Sequence, residues 1–225
     1  MSIAYNLKNI STTLPEQVTL VAVSKTKPLS ALREAYDASH RVFGENRVEE
    51  LMEKSNVLPD DIEWHMIGHL QSKKAKYIAP FVSLIHSVDS FKLLSEINKQ
   101  AERNDRVIDC LIQFHIATEA TKFGFDFSSV DNWLDQGNLN GFKNIRLRGV
   151  MGMATYTQNK DQVRQEFQNL KRIFDRLKGA HFSSNDHFNH ISMGMSGDYL
   201  IAIEEGSTMV RVGSSIFGSR DYSKF

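Results

Sequence analysis

The first residue whose type and place suggest chemistry is Lys25. It directly follows the apolar run Leu20-Val-Ala-Val-Ser24. A lysine that closes a strand at the mouth of an apolar barrel is desolvated, which lowers its pKa and favours the nucleophilic amine. Such an amine condenses with an aldehyde. The competing reading is that Lys25 and its neighbour Lys27 snorkel out of the strand end as surface charges, so other residues must decide.

Two small, donor-rich turns bear on that choice. Ser192-Met-Gly-Met-Ser-Gly-Asp198 is expected to end the seventh strand and open a helix near Tyr199, where exposed backbone N–H groups, the positive end of the dipole and the Ser196 hydroxyl favour a phosphate. Ser-Gly-Asp is equally ordinary N-cap chemistry. In Val210-Arg-Val-Gly-Ser-Ser-Ile-Phe-Gly218 the eighth strand is expected to end at Gly213, with Ser214 and Ser215 leading into a short helical turn. The loops after strands seven and eight are the recurrent phosphate site of parallel barrels, so the two turns reinforce each other.

Arg211 lies two residues before Gly213, and period-two alternation then points it inward if Gly213 meets the phosphate. A heteroaromatic ring nitrogen or a carboxylate such as Glu45 would satisfy an inward guanidinium, and an internal ion pair is the bland alternative. Glu45 and Asn46 close strand two, His69 and Gln71 follow strand three, and His86 and Asp89 end strand four, so each can line the mouth. His65, His86 and His190 lack paired metal-ligand spacing and read as core or hydrogen-bonded side chains.

The elements that must position these residues alternate along the chain. Strands are expected at 19–24, 41–44, 63–67, 83–87, 110–114, 145–150, 187–191 and 208–212. A helix over 28–39 has Pro28 in its first turn and Leu32, Ala35 and Tyr36 on one face. A second, over 161–177, carries Val163, Phe167, Leu170, Phe174 and Leu177, with Gly179 as its stop. Strict alternation argues for parallel strands with right-handed crossovers, and eight such units in 225 residues suit a single (β/α)8 barrel. An open doubly wound sheet is the alternative.

Composition supports one domain over residues 1–225, since 41% hydrophobic content can bury a substantial core and nothing resembles a linker or a repeat. Lys plus Arg and Asp plus Glu both number 27, so the overall field favours neither nucleic acid nor an anionic membrane as partner. The one cysteine, Cys110, sits in an apolar run and cannot form an intramolecular disulfide, and no apolar window approaches a membrane span. A cytoplasmic chain with a small ligand follows from these features, and a monomer is expected.

The residues strongly resemble the pyridoxal phosphate homeostasis protein family, related to the N-terminal barrel of alanine racemase. The likeness rests on Val21-Ala-Val-Ser-Lys-Thr-Lys-Pro28, Phe43-Gly-Glu-Asn46, Trp64-His-Met-Ile-Gly-His-Leu-Gln-Ser72, His86-Ser-Val-Asp89, Lys122-Phe-Gly-Phe125, Ser192-Met-Gly-Met-Ser196, Val210-Arg-Val-Gly213 and Ile216-Phe-Gly218. It implies a fold-type-III pyridoxal-phosphate barrel in which Lys25 carries the cofactor as a Schiff base. It further implies that Ser196, Gly213 and Ser214 hold the phosphate, Arg211 meets the pyridine nitrogen and Asn46 lines the pocket. An arginine there weakens the ring as an electron sink, which suits holding the cofactor and releasing it to apo-enzymes.

Weak amino-acid racemisation is the alternative from the enzyme class, and a phosphosugar isomerase is a third. Racemases of this kind need a second base supplied with a separate β-domain and a partner subunit, and the sequence ends at Phe225 without residues for that domain, so racemisation is expected to be residual at most. The departures from the family pattern are Arg47, the pair Phe114-His115 and the pair Thr155-Tyr156. All three concern the rim.

Overall fold

The computed structural model describes residues 2–119 and 123–218. Eight parallel strands close a barrel in chain order: β1 (Thr19–Val23), β2 (Val42–Glu45), β3 (Glu63–Met66), β4 (Leu84–Val88), β5 (Ile108–Gln113), β6 (Ile145–Met151), β7 (His190–Met195) and β8 (Met209–Val212). β8 pairs back onto β1, with Thr19 opposite Met209 and Ala22 opposite Val212. Closure removes both sheet edges, and the open doubly wound alternative is thereby excluded.

Among the described residues the helices are α1 (Ile3–Ser11), α2 (Leu29–Asp37), α3 (Val48–Ser55), α4 (Ala75–Ile78), α5 (Phe91–Arg103), α6 (Phe127–Asp135), α7 (Lys160–His181), α8 (Tyr199–Glu204) and α9 (Ser214–Phe217). None is long and apolar enough to cross a membrane. Alternation along the strands yields two apolar layers. Leu20, Ala22, Phe43, Trp64 and Met66 face the helices, while Val21, Leu84, Leu111, Met151 and Met209 pack inside the barrel.

Most boundaries shift by one or two residues, and two elements differ by more. Strand seven begins at His190, later than 187, because Phe188 turns into the outer core and stacks on Phe182 with ring centroids 4.1 Å apart. Ser192 to Met195 are therefore strand, and Ser192 enters the barrel wall. Helix α7 passes Gly179 and ends at His181. Nothing lies within 4 Å of where a Gly179 Cβ would stand, so no packing turns the chain there. The helix stops where Phe182 sinks into the core. Its buried stripe includes Val163, Phe167, Leu170, Ile173 and Leu177, with Phe174 only partly covered.

Cys110 lies wholly buried on β5, and burial pushes its thiol pKa up. The thiolate is the reactive form, so a disulfide-exchange reagent at mildly alkaline pH is expected to leave folded protein unlabelled and to label one thiol per chain in denaturant. Rapid labelling of the folded protein would contradict this burial.

Candidate functional site

The site is assembled where the strands end. Beyond β1 the Ser24 N–H still pairs with the Gly44 carbonyl at 3.1 Å. Val21 belongs to the inner layer, and Lys25 follows two residues after Val23, the last residue of β1. Lys25 is half-buried, and Thr26 after it has φ +63°. Lys27, expected as a plain surface charge, donates to the carbonyls of Phe217 and Gly218 at 2.9 and 3.1 Å. The turn carrying Lys25 is thus tied to the end of α9, which Asn6 of α1 also holds through the Ile216 carbonyl at 2.9 Å.

The turns after β7 and β8 meet one another. The Gly213 N–H donates to Ser196 Oγ at 3.1 Å, and the β1–β8 register sets Val21 opposite Arg211, so these turns adjoin the end of β1. Gly194 makes the approach possible: its φ is +94°, and a Cβ there would stand 2.6 Å from the Ala202 Cβ of α8. Asp198 makes no side-chain cap bond to α8. Its carboxylate turns back to accept the Met195 N–H at 2.6 Å, which removes the ordinary N-cap reading of Ser-Gly-Asp. Ser214 opens α9 and is exposed.

Arg211 is 4% exposed and points inward. Its expected alternative partner, Glu45, lies on the other side of the sheet, where it accepts from Lys54 Nζ at 2.7 Å and Ser24 Oγ at 2.6 Å. Among the described residues Arg211 forms no ion pair. It donates from Nη1 to Ser192 Oγ at 2.5 Å and from Nη2 to the Gly152 carbonyl at 3.1 Å. Burial pulls its pKa down to about 10, which leaves it cationic near neutrality.

Behind Arg211 a hydrogen-bonded string crosses the barrel interior. Arg211 can only donate, so Ser192 Oγ accepts from it and has its own hydrogen left for His86 Nδ1 at 2.9 Å. When Ser192 donates to Nδ1, His86 carries its hydrogen on Nε2 and can donate it to His65 Nδ1 at 3.0 Å. His86, which the sequence allowed either at the rim or as a hydrogen-bonded core side chain, is buried inside. Both imidazoles stay neutral, because burial lowers His65 to about 3 and holds His86 well below 6.5.

These histidines make the barrel acid-sensitive. Their pKa is depressed when folded and near 6.5 when unfolded, so below pH 6.5 the unfolded chain binds protons that the folded one refuses. Their contribution is complete above 6.5 and drains as pH falls, at about 1.4 kcal/mol per pH unit for each histidine. His86→Gln is expected to flatten the fall of melting temperature between pH 6.5 and 4.5. An unchanged slope would mean that His86 is not held neutral.

At the rim, Asn46 follows β2 and is half-buried. Gly68 packs directly on it, since a Cβ at Gly68 would stand 2.4 Å from the Asn46 carbonyl oxygen. His69 pairs with Asp89 at 2.8 Å and stacks on Phe123 at 4.1 Å. Of the departing residues, Arg47 and Tyr156 are exposed, and Thr155 is anchored to Glu166 at 2.6 and 2.7 Å. Lys122 lies outside the described residues. Ser196, Gly213 and Ser214 follow or lie at the ends of β7 and β8, Arg211 lies in β8, Lys25 follows the adjacent β1 and Asn46 follows β2.

Two sets of side chains escaped sequence reasoning. The His65–His86–Ser192 string was legible only as period-two positions on three separate strands. Lys54 had a clearer signal: it falls on the buried stripe of α3 with Val48 and Leu51, an unusual place for a lysine.

The family model described as alanine racemase, N-terminal domain, matches residues 1–221. A pyridoxal phosphate homeostasis protein of Aquifex aeolicus is 41% identical over 204 residues, which cover 90% of this chain and 87% of that protein. The structure of PipY from Synechococcus elongatus with PLP bound superposes with a TM-score of 0.87 at 33% identity, over 96% of this chain and 100% of PipY. An alanine racemase of Clostridium difficile shares the fold at 16% identity and a TM-score of 0.78, over 99% of this chain and 57% of that one.

Proposed function

The chain belongs to the alanine racemase N-terminal domain family, and from that membership we infer a protein that binds pyridoxal 5′-phosphate and takes part in its homeostasis, as its relatives are named. The residues fit this cofactor. Arg211 is a buried cation whose acceptors among the described residues are neutral, a surrounding suited to the electron pair of a ring nitrogen. The observation that carries the reading is the Gly213–Ser196 hydrogen bond at 3.1 Å, which joins two donor-rich turns beside the strand that leads to Lys25.

When bound, pyridoxal phosphate supplies an aldehyde that an amine captures reversibly. In our reading Lys25 is that amine, and Ser196, Gly213 and Ser214 bind the phosphate. Asn46 walls the pocket, and Arg211 keeps the ring nitrogen unprotonated by its own positive charge. That arrangement suits storage and release more than turnover. We read residues 1–225 as one domain, monomeric and cytoplasmic, that passes the cofactor to apo-enzymes.

Titration of the purified protein with pyridoxal phosphate is expected to produce a yellow band that saturates at one equivalent per chain. Chiral analysis of alanine incubated with the loaded protein is expected to show at most residual racemisation. A phosphosugar isomerase would yield no chromophore, and a flat titration would overturn the proposed function.

A further inference from the structure

The ammonium of Lys54 has three hydrogens and three acceptors, one in the turn that carries Lys25 and two on carboxylates that themselves bond that turn. Lys54 Nζ donates to the Ser24 carbonyl at 2.8 Å, to Glu45 Oε1 at 2.7 Å and to Glu50 Oε2 at 3.1 Å. Glu45 Oε1 also accepts the Ser24 hydroxyl at 2.6 Å, and Glu50 Oε2 accepts the Thr26 N–H at 2.7 Å. Ser24 is therefore held at both its carbonyl and its hydroxyl, and Thr26 at its N–H. Between them stands Lys25.

The cluster is hard to explain as stabilisation. Lys54 and Glu45 are nearly or wholly buried, and Glu45 Oε2 has no hydrogen-bond partner among the described residues. Exchanging a buried ion pair for well-packed neutral groups is often neutral or stabilising. Thr26 adds a non-glycine residue at φ +63°, a conformation that costs of order 1 kcal/mol or more and persists only where the surroundings hold it. The Glu50 bond to its N–H and the backbone bond from the Lys27 N–H to the Ser24 carbonyl at 3.0 Å together hold that turn.

We propose that Lys54, Glu45 and Glu50 are positioning residues that aim the Lys25 amine into the barrel mouth for capture of an aldehyde. The proposal rests on Lys25 being the attachment point. In the step they serve, the Lys25 nitrogen bonds to the aldehyde carbon, and the carbonyl oxygen departs as water with the two amine hydrogens. The clamp takes no part in those bonds. It fixes the direction from which the nitrogen approaches, and a misplacement on the order of 1 Å can slow such a step by up to about a hundredfold.

Glu50 offers the sharpest test, because it lies on α3 with a partly exposed side chain, where alanine keeps the helix. The rate at which the yellow band grows after mixing with pyridoxal phosphate is measured, with borohydride fixation and peptide mapping in parallel. Glu50→Ala is expected to slow growth by about tenfold or more. Glu50→Gln, which keeps an acceptor oxygen for Thr26, is expected to recover most of the rate. The double variant Glu45→Gln with Lys54→Met removes both buried charges together and is expected to melt cooperatively while attaching slowly. Wild-type rates in Glu50→Ala, or equal slowing in both Glu50 variants, would overturn the clamp while leaving Lys25 as the attachment point. A wild-type protein with no label on Lys25 would overturn the functional reading and the clamp with it.

Discussion

Lys25→Ala is expected to abolish the covalent yellow chromophore while the protein stays folded, with unfolding free energy changed by less than about 1 kcal/mol. The first half follows from chemistry: the proposed attachment uses this amine, just beyond the end of β1. The second follows from packing. Lys25 is half-buried and lies outside the two apolar layers, and substitutions away from core, cap and buried charge rarely destabilise by more than that. Denaturant melts and visible spectra of the variant check both halves. A variant that kept the covalent band would place the attachment on another lysine.

Arg211→Ala is expected to weaken pyridoxal phosphate binding by roughly ten- to hundredfold, corresponding to about 1.5–3 kcal/mol for a hydrogen bond to a charged donor in a buried site. It is also expected to shift the visible band, because the guanidinium sets the electrostatics at the ring nitrogen. The variant further strips Ser192 Oγ of a donor at 2.5 Å and the Gly152 carbonyl of one at 3.1 Å, so some stability is lost with the affinity. Equilibrium titration with spectral recording separates the two, since an affinity loss persists at temperatures where the variant remains fully folded. Unchanged affinity and spectrum would contradict the inward guanidinium as the ring's neighbour.

The fold was legible because its main signal is local. Alternating apolar runs and periodic helices announced eight βα units, and Leu20, Ala22 and Val21 partition between the outer and inner layers as alternation requires. Candidate positions for a site were legible where one residue or one turn carried the signal, as at Lys25 and the two serine-glycine turns. It was not legible where contact depends on distant elements. Phe188 stacks on Phe182, which delays β7, and the register between β7 and β8 shifts between Ser192 and Met195. No local pattern announces either event.

Glu45 shows the same limit. As the last residue of β2 it was a plausible inward carboxylate for Arg211, yet alternation puts it with Phe43 on the helix side, where Lys54 waits. The strand boundary decided the matter: a strand ending at Gly44 leaves Glu45 open to either side, whereas a strand that includes Glu45 does not. Lys27 was misread for another reason. Its partners, the Phe217 and Gly218 carbonyls, are 190 and 191 residues away in sequence, and only barrel closure brings them together.

Borohydride reduction of the pyridoxal phosphate-loaded protein, followed by fragmentation that resolves Lys25 from Lys27, tests the central claim most directly. We expect one reduced adduct per chain, located on Lys25. An adduct on Lys27 or any other lysine in place of Lys25, or loaded protein from which no adduct can be fixed, would contradict it.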